Sequence, residues 1–328
     1  MSEFIGRNID FALAVEEVRG TAEASAEKNV RKVSCNIQPL VEKVTDNTTF
    51  GKLEDAERSR IVRKWSEGDV DGIVHADVLG YYLYNIYGEV ETEAEGGAYR
   101  HKFNLEQSIK HPTLTAFVKD ADVRQVKIAN TMLTSMSLDA TTDDYVRYSA
   151  SFIGNEQESD SSSIPALDTE YDFISRDIEV KIAETSAGLS GANALKLKEL
   201  SIEFNTNAEA DFVFGNYSPN DIYNRQFEIT GSFNLNFTDE VFQDLYNSDD
   251  FRFMEIKIVS ESTIGSTANP EITILLDKVQ ITEWERSSDA DDLSTQSVSF
   301  KAFYNTDTEK ASQVELVNLI DAYEITSS

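Results

Sequence analysis

Several features are scarce in this chain of 328 residues, and each scarcity excludes a class of protein. With one cysteine, Cys35, the chain cannot form an intrachain disulfide framework. The three histidines, His75, His101 and His111, match no metal-ligand spacing. No basic segment followed by an apolar one resembles a signal peptide, and no apolar run of about 18 residues spans a bilayer. We therefore expect no cofactor, no metal, no membrane insertion, and synthesis in the cytosol.

Basic residues are few as well, because 29 Lys and Arg stand against 59 Asp and Glu, giving a net charge of −30. Such a charge repels polyanions, which argues against direct recognition of DNA and against binding to anionic lipid. Three explanations stay open: a solvated surface that keeps the protein soluble, a passage lined with carboxylates to which a polyanion does not adhere, and adaptation to high salt.

Motifs for catalysis are also scarce. Ser190 stands between Gly188 and Gly191, but a nucleophile elbow needs another residue before its serine and a strand leading into a helix. A flexible turn is the simpler interpretation. A glycosidase needs two carboxylates at a set distance, and chance pairs are certain among 59 acids. We expect no enzyme and assign no catalytic, cofactor-binding or metal-binding residue.

Two further groups of residues have a structural and a functional interpretation. Asp289, Asp291 and Asp292 carry enough charge to attract a cation, but the glycine and distal glutamate of a calcium-binding EF loop are missing, which favours a solvated turn. Trp65 and Trp284 are either core anchors or platforms for stacking sugars, and a lone tryptophan in a sheet is usually the former.

Alternation of apolar and polar residues dominates the sequence and is typical of half-buried strands. In the clearest case one set of side chains is apolar or small: Phe227, Ile229, Gly231, Phe233, Leu235 and Phe237. The intervening set is polar: Glu228, Thr230, Ser232, Asn234 and Asn236. Similar alternation occurs near 114–118, 132–138, 146–152, 178–182, 200–204, 256–258, 272–276 and 298–304. The predicted fold class is therefore mainly β.

Two short amphipathic segments interrupt the alternation and resemble each other at a spacing of 162 residues. The first contains Asp77, Leu79, Leu83, Tyr84 and Asn85, and the second contains Asp239, Val241, Leu245, Tyr246 and Asn247. Each predicts a helix of about three turns, with Asp77 as the first N-cap, Gly88 as its stop, and Thr238 or Asp239 before the second. The second apolar stripe is Val241, Phe242, Leu245 and Tyr246. A duplicated module favours a protein that assembles over one that catalyses.

The expected division of the chain follows from this duplication. Residues 1–45 form an N-terminal arm and first strand, 46–154 a first module, 155–170 a linker rich in Ser, Asp and Glu, 171–306 a second module, and 307–328 a C-terminal extension. Each module is predicted to be a β-sandwich or barrel with one short flanking helix. The opening 29 residues have little apolar periodicity, so we expect them to order against a neighbouring chain.

The order of several short motifs resembles the tail tube proteins, or major tail proteins, of long-tailed, non-contractile bacterial or archaeal viruses. The motifs are EVRGTAE at 17–23, GKLE at 51–54, WSEGDVDG at 65–72, VLG at 78–80 with Gly88, YRHKF at 99–103, PTLT at 112–115 and FKAF at 300–303. The resemblance covers nearly the whole chain.

This resemblance implies a fold, an assembly and a set of partners. Tail tube proteins are β-sandwiches or barrels with a flanking helix, and single-module members form sixfold rings whose inner strands close a channel. Two tail-tube-like modules in one chain imply a ring of three chains, stacked into a tube within the virion after assembly in the host cytoplasm. The implied partners are the chain itself, the tape measure, tail terminator and distal tail proteins, and viral DNA in non-specific transit.

A channel lined with carboxylates would repel duplex phosphates and let the genome pass with little adhesion. Alternate polar positions on the long strands, including Glu228, Asn234 and Asn236, are candidates for that surface. Other interpretations are a carbohydrate-binding or surface-layer β-protein, for which an export signal is absent, and the tube protein of a contractile tail, which usually has one module per chain.

Overall fold

The computed structural model describes residues 5–49, 51–169, 171–288 and 290–323, most of them in β-strands. The strands of the first half are β1 (Ile9–Val15), β2 (Lys28–Asn29), β3 (Ser34–Cys35), β4 (Gln38–Thr45), β5 (Ser59–Ile73), β6 (Gly88–Glu95), β7 (Ala98–Leu105), β8 (Leu114–Asp120), β9 (Arg124–Thr141), β10 (Arg147–Gly154) and β11 (Glu158–Ser159). Those of the second half are β12 (Ile178–Ala183), β13 (Leu197–Asn205), β14 (Glu209–Asp211), β15 (Asp221–Tyr223), β16 (Glu228–Asn236), β17 (Arg252–Val259), β18 (Glu271–Ser287), β19 (Thr295–Ala302) and β20 (Ser312–Asn318). The α-helices are α1 (Ala76–Tyr87) and α2 (Val241–Asn247), with 3-10 turns at Gly6–Asn8, Ser175–Asp177 and Ser186–Gly191. The predicted mainly β fold with short flanking helices is confirmed.

Two long strands, β9 and β18, each change pairing partner along their length. The N-terminal half of β9 pairs with β8 and its C-terminal half with β10, while β18 pairs in the same way with β17 and β19. The ladder shifts register in each of these pairings, which lets the strand bend between sheets. Each half of the chain thereby folds its strands into two layers with apolar side chains between them.

The two halves repeat the same local pairing. Gly68 lies opposite Phe152 in the ladder of β5 and β10, and Gly231 lies opposite Phe300 in the ladder of β16 and β19. A Cβ placed on Gly231 would come within 2.4 Å of the Phe300 ring, so that position requires glycine. Strands β5 and β16 correspond at a spacing of 163 residues and strands β10 and β19 at 148, whereas the helices correspond at 162.

Helix α1 is buried on every side, and it ends at Gly88, whose φ of 87° suits glycine. The predicted N-cap is wrong, because His75 occupies that position, although its side chain makes no capping hydrogen bond. Asp77 instead lies in the first helical turn, where its Oδ2 accepts a hydrogen bond from the buried Lys28 Nζ at 3.2 Å. The carboxylate thus serves both the helix N-terminus and an ion pair.

Helix α2 has seven residues, about two turns instead of three. Phe242 and Leu245 are buried, and the Phe242 ring meets Phe233 edge-on at 5.2 Å. Val241 and Tyr246, expected in the apolar stripe, are 53% and 46% exposed. Residues 242 and 245 lie three apart and share the face that contacts the sheet, which leaves 241 and 246 on the flanks. Asp239 Oδ1 accepts a hydrogen bond from the Val241 amide at 3.2 Å, as a residue before a helix does.

The N-terminal segment differs from the expected arm. Strand β1 pairs with β8 along its whole length, and both Phe11 and Ala12 are fully buried. Its two faces contact different apolar clusters, so the alternation that marks a half-buried strand is missing from its sequence. The following loop is tied down by the buried Glu16, whose carboxylate accepts from the amides of Gly20 and Asn130 at 2.7 Å. Burial raises the pKa of Glu16 despite these hydrogen bonds.

The segment after the first module lies against the body of the protein. Strand β11, at 158–159, pairs with β9, and the side-chain amide of Asn29 donates to the carbonyl of Pro165 at 3.0 Å. Beyond residue 306, β20 pairs with both β18 and β7, so part of the expected C-terminal extension belongs to the sheet. The boundaries at 45, 154, 170 and 306 stay predictions, and one apolar cluster contains residues of both halves.

The buried ion pair between Lys28 and Asp77 gives a test of this packing. Lys28→Met should lower the free energy of unfolding by about 3–5 kcal/mol, because the Asp77 carboxylate would stay buried without its cation. The exposed pair of Arg63 and Glu42 is the control, and Arg63→Met should cost less than about 1 kcal/mol. Denaturant unfolding of the unassembled chain measures both changes. Equal effects for the two variants would show that the buried pair does not stabilise α1.

Candidate functional site

The candidate site is one face of a sheet to which both halves of the chain contribute. Strand β13 pairs with β16 on one side and, on the other, with the C-terminal half of β9. Glu203 lies opposite Ser137 and Asn205 opposite Ser135 in this joint between the halves. The result is a continuous sheet of eight strands in the order β4, β5, β10, β9, β13, β16, β19 and β18.

The two faces of this eight-stranded sheet have opposite chemistry. The inner face is packed against the core and includes Val70, Ala150, Met136, Ile202, Phe233 and Val298. The opposite face, here called the acidic face, presents the carboxylates of Glu67, Asp69, Asp71, Asp139, Glu199, Glu203, Glu228, Glu283 and Glu285 among serines, threonines and asparagines. Strand pleating alone produces this separation, because alternate residues point to opposite sides.

Serine hydroxyls hold several of these carboxylates against the sheet. Asp139 accepts hydrogen bonds from Ser201 at 2.6 Å and from Ser137 at 2.7 Å, the first across the joint between β9 and β13. Asp69 accepts from Ser151 at 2.6 Å in the ladder of β5 and β10. The hydroxyls orient the carboxylates without neutralising them, so the face stays negative.

Two basic side chains of this face form ion pairs. Lys301 contacts Glu228 across the ladder of β16 and β19, and Arg147 Nε donates to Asp144 at 2.8 Å. In the strand pairs that form the face, each carboxylate stands opposite a neutral or basic residue, as Glu203 does opposite Ser137 and Thr230. Like charges directly opposite each other would destabilise the sheet. The face therefore carries a high charge density at low cost in sheet stability.

Three residues of this face were expected from the sequence, since Glu228, Asn234 and Asn236 lie on the same side of β16. The acids of the neighbouring strands were missed. On β5 the acids at 67, 69 and 71 occupy every second position, a signal that could have identified them. Asp139 and Glu203 required knowledge of which strands pair.

The histidines lie apart in the structure. His101 is fully buried, with Nδ1 near the hydroxyl of Thr92 at 2.9 Å and Nε2 near the Ile320 carbonyl at 2.9 Å. Burial lowers the pKa of His101 and of His75. Among the residues that the structure describes, no group of three His, Cys, Asp or Glu side chains is placed to hold a metal ion.

Other residues considered from the sequence have structural surroundings. Ser190 lies in the 3-10 turn Ser186–Gly191, which Thr185 caps, so the expected flexible turn has regular structure. Trp284 donates from Nε1 to Gln296 at 2.9 Å, and Trp65 donates to Glu67 at 2.6 Å. Both rings pack against apolar clusters. Asp291 and Asp292 are exposed, and Asp289 lies outside the described residues.

A cleft of about 640 Å³ opens beside β7 and β19. Its polar lining includes Glu106, His111, Asn224, Arg225 and Lys310. Both ring nitrogens of His111 contact main-chain carbonyl oxygens, of Ile86 at 2.9 Å and of Glu106 at 3.0 Å, so this histidine links the last turn of α1 to the loop after β7.

Comparison with known proteins gives one family. A family model described as phage tail tube protein matches residues 6–302, a span that includes every strand of the eight-stranded sheet. No curated protein matches the chain. Among the described residues, none of the helices has the length and apolar character needed to cross a membrane.

The two faces of the sheet should respond differently to substitution. Asp139→Asn should change the free energy of unfolding by less than about 1 kcal/mol, because the amide still exchanges hydrogen bonds with the two serine hydroxyls. Phe300→Ala should cost about 3–5 kcal/mol through the cavity that it leaves. Denaturant unfolding of both variants measures the difference. A large loss for Asp139→Asn would mean that the acidic face is needed for folding.

Proposed function

Since this chain belongs to the phage tail tube protein family, whose members are structural components of the virion tail, we propose that it polymerises as stacked rings into the tail tube and forms the channel for DNA during genome delivery. Each ring contains three chains. The observation that carries the proposal is the eight-stranded sheet, in which the two halves of one chain are already joined edge to edge.

The ring follows from this joint. Two halves in one chain contribute two four-stranded units, so three chains supply six such units around the axis. Closing the ring removes the exposed sheet edges that otherwise invite aggregation. A barrel of twenty-four strands, spaced about 4.8 Å apart and tilted by about 40°, would measure roughly 40–50 Å between opposite backbones, wide enough for a DNA duplex.

The acidic face lines the channel in this proposal. Its opposite side is buried in the core, so it is the face that a closed barrel turns toward the axis, with the remaining layers outside. Carboxylates on the wall repel the phosphates of passing DNA, and the genome meets little adhesion. No bond is made or broken, and we propose no catalytic role.

The remaining parts of the proposal concern the setting of the tube. The tape measure protein, the tail terminator and the distal tail proteins are its partners, and assembly takes place in the host cytoplasm before the tube becomes part of the virion. The duplicated module favours a non-contractile tail over a contractile one, because a single module per chain is usual for contractile tubes.

Electron microscopy of the purified chain, with light scattering to count subunits, tests the assembly at low and high salt. We expect hollow stacked rings with three chains each, and easier assembly as salt screens the charge of −30 on each chain. A chain that stays monomeric at every salt concentration, or rings of another subunit number, would contradict the proposal.

Replacing acids of the channel wall tests the low-adhesion role. Tubes with Asp69→Lys and Glu203→Lys should still assemble but should eject DNA more slowly, because the wall would then attract phosphates. The difference should shrink as salt rises, since the Debye length falls from about 10 Å at 0.1 M to about 3 Å at 1 M. Asp122→Lys, in the turn between β8 and β9, is the control for a changed surface charge. Unchanged ejection kinetics in the double variant would refute low adhesion while leaving the tube itself in place.

A further inference from the structure

The eight-stranded sheet ends in two unpaired edges. At one end, residues 283–287 of β18 pair with β19 on one side, and no described strand lies on the other. At the opposite end, residues 34–40, which comprise β3 and the start of β4, pair with β5 on one side, and no strand of the described part of the chain pairs with them on the other. These two edges are the places where the sheet can be extended.

Residues 34–40 are the first-half equivalent of the strand that makes the internal joint. Glu67 of β5 and Thr230 of β16 are equivalent residues, because they have the same spacing of 163 as Gly68 and Gly231. Gln38 lies opposite Glu67, and Glu203 lies opposite Thr230. Gln38 and Glu203 are 165 residues apart. Ser34 opposite Asp71 and Glu199 opposite Asn234 repeat this spacing.

Residues 283–288 are likewise the equivalent of residues 135–140 of β9. The ladder of β9 and β10 has one extra residue, Thr134, just before Ser135. The ladder of β18 and β19 has its extra residue, Thr282, just before Glu283. Glu283 thus lies 148 residues after Ser135. Their partners on the neighbouring strands have the same spacing, because Ser135 pairs with Ser151 and Glu283 pairs with Ser299.

We propose that the free edge of β18 in one copy pairs antiparallel with residues 34–40 of the next copy, in the register of the internal joint. In this register Gln38 lies opposite Glu285, just as Glu203 lies opposite Ser137 at the internal joint. Leu40 likewise lies opposite Glu283, just as Asn205 lies opposite Ser135. This register rests on the ring that we propose as the functional assembly. It specifies which residues of neighbouring chains meet.

The chemistry of the two edges fits this register. Each acid of β18 faces a neutral residue, and the acids inside the sheet face neutral or basic ones, so no like charges stand opposite each other. Ile37, which is 6% exposed, continues the core face, and Gln38 continues the acidic face. A slip of one residue would exchange the faces and point Ile37 toward the acidic side.

An exposed apolar ribbon gives independent support. Beyond residue 40 the strands β4 and β5 extend as a hairpin, on which Val41, Val44, Ile61 and Val62 are 45%, 55%, 38% and 37% exposed. The corresponding hairpin of the second half follows β13, and it packs onto the first half through the fully buried Ile222. The first-half hairpin would lie against the second half of the next copy and cover its apolar side chains in the same way.

Proline makes the joint between copies weaker than the internal one. The Asn36 amide donates to Asp69 of β5 at 2.9 Å, and backbone groups alternate in direction, so the nitrogen of Pro39 points to the free edge. Pro39 occupies the position of Phe204 and has no N–H to donate. One ladder hydrogen bond is therefore missing, which protects the free edge from incorrect pairing before assembly.

Paired cysteines test the register in a Cys35→Ser background, where the introduced thiols are the only ones. Gln38→Cys with Glu285→Cys should oxidise between copies in assembled tubes, because directly opposed residues have Cα atoms within the roughly 4.4–6.8 Å that a disulfide requires. Non-reducing gels should show loss of the monomer band in favour of linked species of up to three chains.

Two matched pairs control the experiment. Glu203→Cys with Ser137→Cys places the same geometry at the internal joint and should form a disulfide within one chain. Gln38→Cys with Glu91→Cys tests β6, another edge strand, and should give no linked chains. Tubes in which the internal pair oxidises and the 38/285 pair does not would overturn the register and leave the proposed function standing. Failure of the Cys35→Ser parent to assemble under any condition would overturn both.

Discussion

The pairing of β9 with β13 is the contact on which the architecture depends. It joins strands of two similar half-chains into one sheet, since each of the eight strands is then hydrogen-bonded to the strands beside it. Without it the protein would expose two additional strand edges, each a template for incorrect pairing. The joint also makes the cores of the two halves continuous, because strand pleating places the apolar side chains of both halves on the same side of the sheet.

One sheet can therefore perform two tasks with few conflicts. Ile202, Phe233 and Phe300 are buried on one face and stabilise the fold there, while the acids lie on the opposite face, outside that core. Asp139 illustrates the compromise, because two serines orient it while its charge remains at the surface. In a chain of net charge −30, such placement concentrates repulsion on the surface where the proposed channel needs it.

Sequence reasoning predicted the elements whose local pattern is complete. The alternation at 227–237 became β16, and Gly88 ends α1 as its position indicated. The position of β1 within the first 45 residues was not identified, because both of its faces are buried and its sequence therefore lacks alternation. The acidic face was predicted only on β16, because its other members belong to strands that are distant in sequence. Long-range pairing, such as Glu203 with Ser137, leaves no trace in either strand alone.

The same argument explains why assembly is compatible with a large negative charge. Three chains of −30 repel one another, so the contacts that close a ring must place charge away from the joint or opposite neutral partners. The edge at 34–40 contains Ser34, Cys35, Asn36, Ile37, Gln38, Pro39 and Leu40, none of them charged. It can approach the acids of β18 without a like-charge pair, and the apolar hairpin beside it supplies surface to bury. An uncharged edge meeting an acidic one is the arrangement by which a strongly acidic wall and a closed ring exist in the same protein.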